Sequence, residues 1–197
     1  MSEFINVLRS RRSVSKLKKK KQLDYEMVVS KIKEAVQNSP SAFNSQSASI
    51  VVLFDEKHDA FWDEVLQEIL PFVAKEKQQA SINKIQAFKN GDGTIVFLED
   101  TSVLDELKDK FPLYQDNVML WSDQGQGFVQ YAVWLMLTHL GLHASLQHYN
   151  PLIDEYFYQH VGIDRKYKII AQMPFGEADQ QIEPRKSKDI NERVKKI

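Results

Sequence analysis

Ser39-Pro40-Ser41-Ala42-Phe43-Asn44-Ser45-Gln46 stands between an amphipathic pattern, Tyr25 to Val36, and an apolar run, Ala48 to Phe54. Pro40 disfavours helical backbone at Ser39, so a helix is predicted to end near Asn38. The loop that follows is dense in hydroxyls and amides: Ser39, Ser41, Asn44, Ser45, Gln46 and Ser47. Such side chains offer several donors and acceptors to a polar, uncharged ligand. The same composition serves an ordinary helix-to-strand turn. Taken alone, the residues leave both readings open.

Working upstream, Asp24 is placed to cap the helix, with Val28, Val29, Ile32 and Val36 on its apolar face. Before it the charge pattern changes. No acidic residue lies between Glu3 and Asp24, while Arg9, Arg11, Arg12, Lys16 and Lys18 to Lys21 are all basic. A positive segment in a near-neutral chain is a candidate anion site. Lys18 to Lys21 is expected to be a solvated loop. Arg11-Arg12-Ser13 differs, because two guanidinium forks beside a hydroxyl suit a phosphate through bidentate, charge-assisted bonds. Phe4, Val7 and Leu8 predict a short first helix ending near Arg9 or Ser10.

Downstream, the continuous apolar run Ile50 to Leu53 predicts a strand covered on both faces. Helices are predicted over Lys57 to Ile69, Gln78 to Lys89 and Ser102 to Lys110. Asn90-Gly91-Asp92-Gly93 reads as a turn and Thr94 to Leu98 as a second buried strand. Ser122 to Leu140 is the longest helix pattern. It is apolar nearly all round, which places it at the centre or at a subunit interface. Gly141 ends it. His143 to Gln147 reads as a third strand, Pro151 opens a helix to about His160, and Tyr167 to Phe175 is a fourth strand followed by a turn at Gly176. Strands alternating with helices argue for a central sheet of α/β or α+β type.

The chain has 197 residues, 43% hydrophobic and 27% charged, with a formal net charge of -1 and no cysteine. Disulfides, thiol nucleophiles, iron–sulfur clusters and Cys-ligated zinc are excluded. Near-zero charge argues against nucleic acid as a partner. The longest apolar stretch, Phe128 to Ala144, carries Gln130, Thr138, His139 and His143 and falls short of the roughly 20 apolar residues of a membrane span. No membrane partner is expected, and the absence of an export signal makes the cytoplasm the expected location. His139 and His143 have a ligating spacing, but Gly141 between them ends the helix, so no metal site is expected. The carboxylate pairs Glu64/Glu68 and Asp105/Asp109 fall on solvent faces. There is no Gly-x-Gly-x-x-Gly and no P-loop.

Arg11-Arg12-Ser13, Ser39 to Gln46, and Gln147-His148-Tyr149-Asn150 resemble, in this order, the FMN-binding segments of the nitroreductase family. Similarity is strongest to its fatty-acid-repression-mutant branch of small bacterial and fungal nitroreductases, and it spans nearly the whole chain. The resemblance implies an α+β fold of sandwich type, with a central mixed, mainly antiparallel β-sheet flanked by helices, in an entwined homodimer. It implies one FMN-binding domain over residues 1–197, with a tail from about residue 183. Arg11, Arg12 and Ser13 would hold the FMN phosphate, joined by Arg185 and Lys186. Many members carry a lysine near the flavin pyrimidine two residues after the motif's serine; here Ser15 stands there, with Lys16 next. Gln147, His148 and Tyr149 would lie against the ring, His148 touching it. Pro40, Ser41, Asn44 and Gln46 would reach the flavin of the partner subunit.

The implied activity is ping-pong transfer of reducing equivalents from NADH or NADPH through flavin N5 to a small aromatic acceptor, a nitroaromatic or a quinone. The flavin carries the chemistry, so no catalytic acid or base is assigned. A second expectation is a flavin-binding stress or lipid-signalling regulator with incidental reductase activity. A third is a polyanion-binding module using Arg9 to Lys21 and the basic tail, which predicts strongly salt-dependent binding.

Overall fold

The spine of the sheet is β5, Tyr167–Ala178. The computed structural model describes residues 3–184 and 187–196. Antiparallel to β5 on one side runs β3, Gly93–Asp100, and beyond it β2, Ala48–Phe54. On the other side β5 takes two short strands, β1 at Leu17–Lys18 and β4 at His143–Ala144. The named strand pairs are all antiparallel, and one parallel bridge, Ser13 to Ala144, makes the sheet mixed. The expected class of fold is the observed one.

The helices follow the apolar periodicity closely. They are α1 (Glu3–Ser10), α2 (Tyr25–Gln37), α3 (Asp55–Ile69), α4 (Lys75–Lys89), α5 (Thr101–Lys110), α6 (Val118–His139) and α7 (Asp154–Val161). Asp24 caps α2, its carboxylate accepting from Met27 N. Gly141 ends α6 with a left-handed φ of 71°. One core lies between the sheet and α2 and α6, around Ile32, Phe97, Val133, Leu137, Met173 and Phe175. A second lies on the opposite face, around Phe61, Trp62, Val65, Phe88, Leu98 and Phe157. The molecule is thus a three-layer arrangement built on one sheet.

Several expectations are corrected. Gly176 is not a turn: β5 runs straight through it. The glycine is needed because a Cβ there would stand 2.8 Å from the Lys18 carbonyl oxygen and 3.1 Å from Gly91 Cα. Lys18 to Lys21 is not simply a solvated loop. Lys18 pairs with Glu177 within β1, Lys20 N donates to the Asp92 carboxylate at 3.1 Å, and its ammonium donates to Leu140 O at 2.8 Å, capping α6. β2 is the sheet's edge strand and is mostly half-buried rather than covered on both faces. β4 is shorter than the predicted third strand, α6 begins one turn before Ser122, and α7 begins at Asp154 rather than at Pro151.

Beneath β3 a polar network is sealed into the second core. His58 is fully buried. Its Nε2 lies 3.1 Å from Lys89 O, which can only accept, so Nε2 carries the proton. Nδ1 then accepts from the Thr94 hydroxyl at 2.9 Å, and Trp62 Nε1 donates to the same oxygen at 2.8 Å. Burial pushes the imidazole pKa below its usual 6.5. The unfolded chain therefore binds a proton more readily, and stability falls as pH drops below about 6.5. In urea midpoints measured from pH 7.5 to 5, wild type should lose stability more steeply than His58→Gln. Equal pH slopes would show that His58 does not titrate on unfolding.

Candidate functional site

Two buried side chains fasten the N-terminal basic segment. Val14 and Leu17 are 0% and 1% exposed. Val14 N donates to Ala144 O at 2.9 Å, extending the Ser13 bridge. Asp179 N donates to Lys16 O at 2.9 Å, and Lys16 N donates to Gln180 Oε1 at 3.1 Å. With Val14 and Leu17 turned inward, Ser13 and Ser15 are left exposed and Arg11 and Arg12 half-buried.

Arg11 follows α1, its N donating to Val7 O at 3.0 Å. Its guanidinium carbon stands 4.5 Å from the centre of the Trp134 ring on α6. The Arg12 guanidinium donates to the Glu183 carbonyl. Among the described residues neither arginine is paired with a carboxylate. Trp134 Nε1, buried next to them, has no acceptor among the described residues. Two uncompensated guanidinium groups and an orphaned N–H are the chemistry of an anion receptor, so these residues fit a phosphate. Arg185 and Lys186 lie outside the described residues.

The Ser13–Ala144 bridge sets this segment beside the chain that runs from β4 to Asn150. That chain is held along β5, with Gln172 making most of the bonds. Gln147 and Gln172 exchange backbone hydrogen bonds at 2.7 and 2.9 Å. The Gln172 side chain, fully buried, accepts from Tyr149 N at 2.9 Å and donates to Asn150 Oδ1 at 3.0 Å. Gln147 Nε2 donates to Ser145 Oγ at 3.1 Å, and His148 is exposed. Tyr149 turns its ring toward the second core, edge-on to Trp62 at 5.9 Å, and burial pushes its phenol up to about 12. Tyr149 is therefore neutral at physiological pH and acts here as an anchor.

The Ser39–Gln46 loop folds at the far end of α2. Ser39 Oγ donates to Ala35 O at 2.8 Å, and Gln46 N donates to Ser41 Oγ at 3.0 Å. Phe43, Asn44 and Gln46 have φ of 53°, 53° and 51°. Such left-handed backbone costs Phe43 and Gln46 roughly 1–2 kcal/mol each, and is tolerated by Asn44. It is held by Phe43, which stacks on Phe111 at 4.2 Å and meets the Trp121 ring at 5.3 Å. Pro40, Ser41, Asn44 and Gln46 border a recess of about 170 Å³ closed by Trp121 and Gly125 of α6. None of residues 11–15 or 147–149 borders it. Within one chain, then, the Ser13–Ala144 bridge joins the first motif to the strand leading to the third, and neither of them lines the recess beside the second.

A family model described as "Nitroreductase family" matches residues 8–177. The chain belongs to the nitroreductase family. Membership places it among oxidoreductases. Two curated Saccharomyces cerevisiae proteins are similar. HBN1 is 32% identical over 180 residues, covering 89% of this chain and 88% of its own. Nitroreductase FRM2, of the fatty-acid-repression-mutant branch, is 28% identical over 177 residues, covering 88% and 86%. The nitroreductase CinD from Lactococcus lactis, solved with chloramphenicol, superposes with a TM-score of 0.89 at 37% identity, covering 99% of this chain and all of its own. CinD has also been solved with 4-nitrophenol. A Desulfitobacterium hafniense nitroreductase with bound FMN shares the fold, with a TM-score of 0.73 at 16% identity and coverage of 100% and 99%.

Trp134, Gln172 and the Glu183 carbonyl were not singled out from sequence as parts of this site. Gln172 carried a signal, being a long polar side chain inside the apolar run Ile169 to Met173. Trp134 carried none, because its position fits the core pattern of α6. Among the described residues no cluster of His, Asp and Glu is placed to hold a metal ion, and no helix is long and apolar enough to cross a membrane.

Proposed function

We propose that the protein is an FMN-dependent NAD(P)H oxidoreductase of the cytoplasm that reduces nitroaromatic or quinone acceptors. It works as a homodimer of single-domain subunits. The observation that supports this reading is the Ser13–Ala144 bridge, which joins the Arg11-Arg12-Ser13 backbone to the strand leading to the pinned Gln147–Tyr149 segment. Bound FMN supplies two-electron transfer between a nicotinamide and the acceptor.

The chain's own residues bind and orient. Arg11 and Arg12 hold the phosphate, with the Ser13 hydroxyl beside them. Arg185 and Lys186 add positive charge. Gln147 and the exposed His148 offer polar groups to the ring edge, and Gln172 fixes the backbone that carries them. Ser15 leaves that edge without the lysine charge common in the family. No side chain is assigned as acid or base.

The Pro40–Gln46 loop serves the partner's flavin in this reading. Its support is that Arg11 to Ser13 do not line the loop recess within one chain. The outer face of α6 adds to it: Phe128 and Tyr131 are 51% and 46% exposed, a large apolar area for a lone subunit. Relatives bear on the acceptor, since CinD holds 4-nitrophenol and chloramphenicol, which carries a nitrophenyl ring.

The test is an absorbance spectrum of protein purified without added cofactor. Flavin bands that bleach anaerobically with NADH or NADPH are expected. A colourless protein that fails to take up FMN overturns the proposal.

A further inference from the structure

Arg11 has a partner of an unusual kind for an anion-binding arginine. Its guanidinium lies over the Trp134 ring, 4.5 Å from the centre. A guanidinium engages a ring through its face, while its N–H donors point outward in its plane. Contact with the ring face therefore holds the group without tying its donors to a carboxylate. A carboxylate partner would have fixed it by consuming them. Among the described residues no carboxylate does so.

The placement follows from the fold. α1 packs along α6, and Arg11 continues the last turn of α1 through its bond to Val7 O. It thus arrives over the part of α6 where Trp134 stands. Next to Trp134, Val133 and Leu137 are fully buried and hold that stretch of α6 against the sheet. Unstacked, an arginine keeps rotamer freedom that it must surrender on gripping a ligand. Here that freedom is already surrendered. The indole edge points the same way, since Trp134 Nε1 is buried without an acceptor among the described residues.

We infer that Trp134 is a positioning residue of the cofactor's phosphate site, its indole face holding the Arg11 guanidinium ready for the anion. This inference rests on the FMN reading above. It assigns a role to a residue of α6 that the N-terminal motif does not contain.

The test titrates FMN and riboflavin, which lacks the phosphate, into full-length protein freed of flavin. Trp134→Leu should weaken FMN binding about tenfold, within the range of a desolvated cation–π contact. Riboflavin binding should change less than twofold. Trp134→Phe, which keeps a ring face, should hold FMN within about threefold of wild type. In an Arg11→Ala background, Trp134→Leu should add less than a twofold effect, since the ring acts through the arginine. Trp134→Met replaces Trp134→Leu if the latter does not fold, and retained riboflavin binding reports an intact flavin site.

Unchanged FMN affinity in both non-aromatic variants overturns the inference. So does an equal loss of FMN and riboflavin, or a full loss added on top of Arg11→Ala. If wild type binds FMN no more tightly than riboflavin, the phosphate assignment itself fails, and the inference with it.

Discussion

Replacing Arg11 and Arg12 together by Ala should strip the purified protein of FMN. Hydrogen bonds to charged groups contribute roughly 1.5–3 kcal/mol each. Both guanidinium groups are half-exposed, so the lower end applies, and a combined loss of about 3 kcal/mol is expected. That is a weakening of two orders of magnitude or more. The effect should exceed that of removing an equal number of surface lysines, because Arg11 is stacked on Trp134 and Arg12 is bonded to Glu183. Riboflavin should bind the double variant about as it binds wild type, since the ring segment is held separately by Gln172. Flavin content equal to wild type in the double variant would remove the phosphate assignment.

Trp62→Ala should cost about 3–5 kcal/mol of stability, the usual range for deleting a buried large aromatic. Trp62 is fully buried and meets Phe61 at 5.2 Å, Phe88 at 4.9 Å and Tyr149 at 5.9 Å. Its indole N–H also donates to Thr94, so the truncation removes a donor from a hydroxyl with no access to solvent. For a chain of this size each kcal/mol moves Tm by roughly 2–4 °C, and a drop of about 6–20 °C is expected. Trp62→Phe should cost less, because most of the volume remains. Since Tyr149 leans on Trp62, flavin retention should fall with Trp62→Ala even below its melting range. A Tm within 2 °C of wild type, on the order of 1 kcal/mol or less, would show that this cluster relaxes freely around the gap.

The sequence carried most of the layer structure because most of it is written in local periodicity. α2 with its Asp24 cap, β2, β3 and the Gly141 stop each depend on residues within one element. What was illegible depends on contacts across long sequence separations. Leu17–Lys18 is too short and too charged to resemble a strand, and it becomes one only because β5 passes alongside. Gly176 has the composition of a turn, but its reason is the backbone of Lys18 and Gly91 pressed against it. For the proposed site, Arg11-Arg12-Ser13 stood out through its charge and hydroxyl, and Gln147 to Tyr149 through the family resemblance. Trp134 and Gln172 did not, because each is disguised inside a segment whose pattern already had an explanation. The Tyr149 ring packs edge-on to Trp62, a contact between segments far apart in sequence that local pattern does not reveal.

The left-handed residues Phe43, Asn44 and Gln46 make the loop a borrowed shape. An isolated Ser39–Gln46 peptide would abandon it, for Phe43 and Gln46 together cost roughly 2–4 kcal/mol in this backbone, while Asn44 tolerates it. What keeps the loop in place is the Phe43 ring lying on Phe111, with Trp121 at its edge. The motif is therefore not transplantable. Grafted onto another helix-to-strand junction without those two aromatic supports, it would retain its residues and lose its geometry. Phe111, in the segment between α5 and α6, is part of what that motif means.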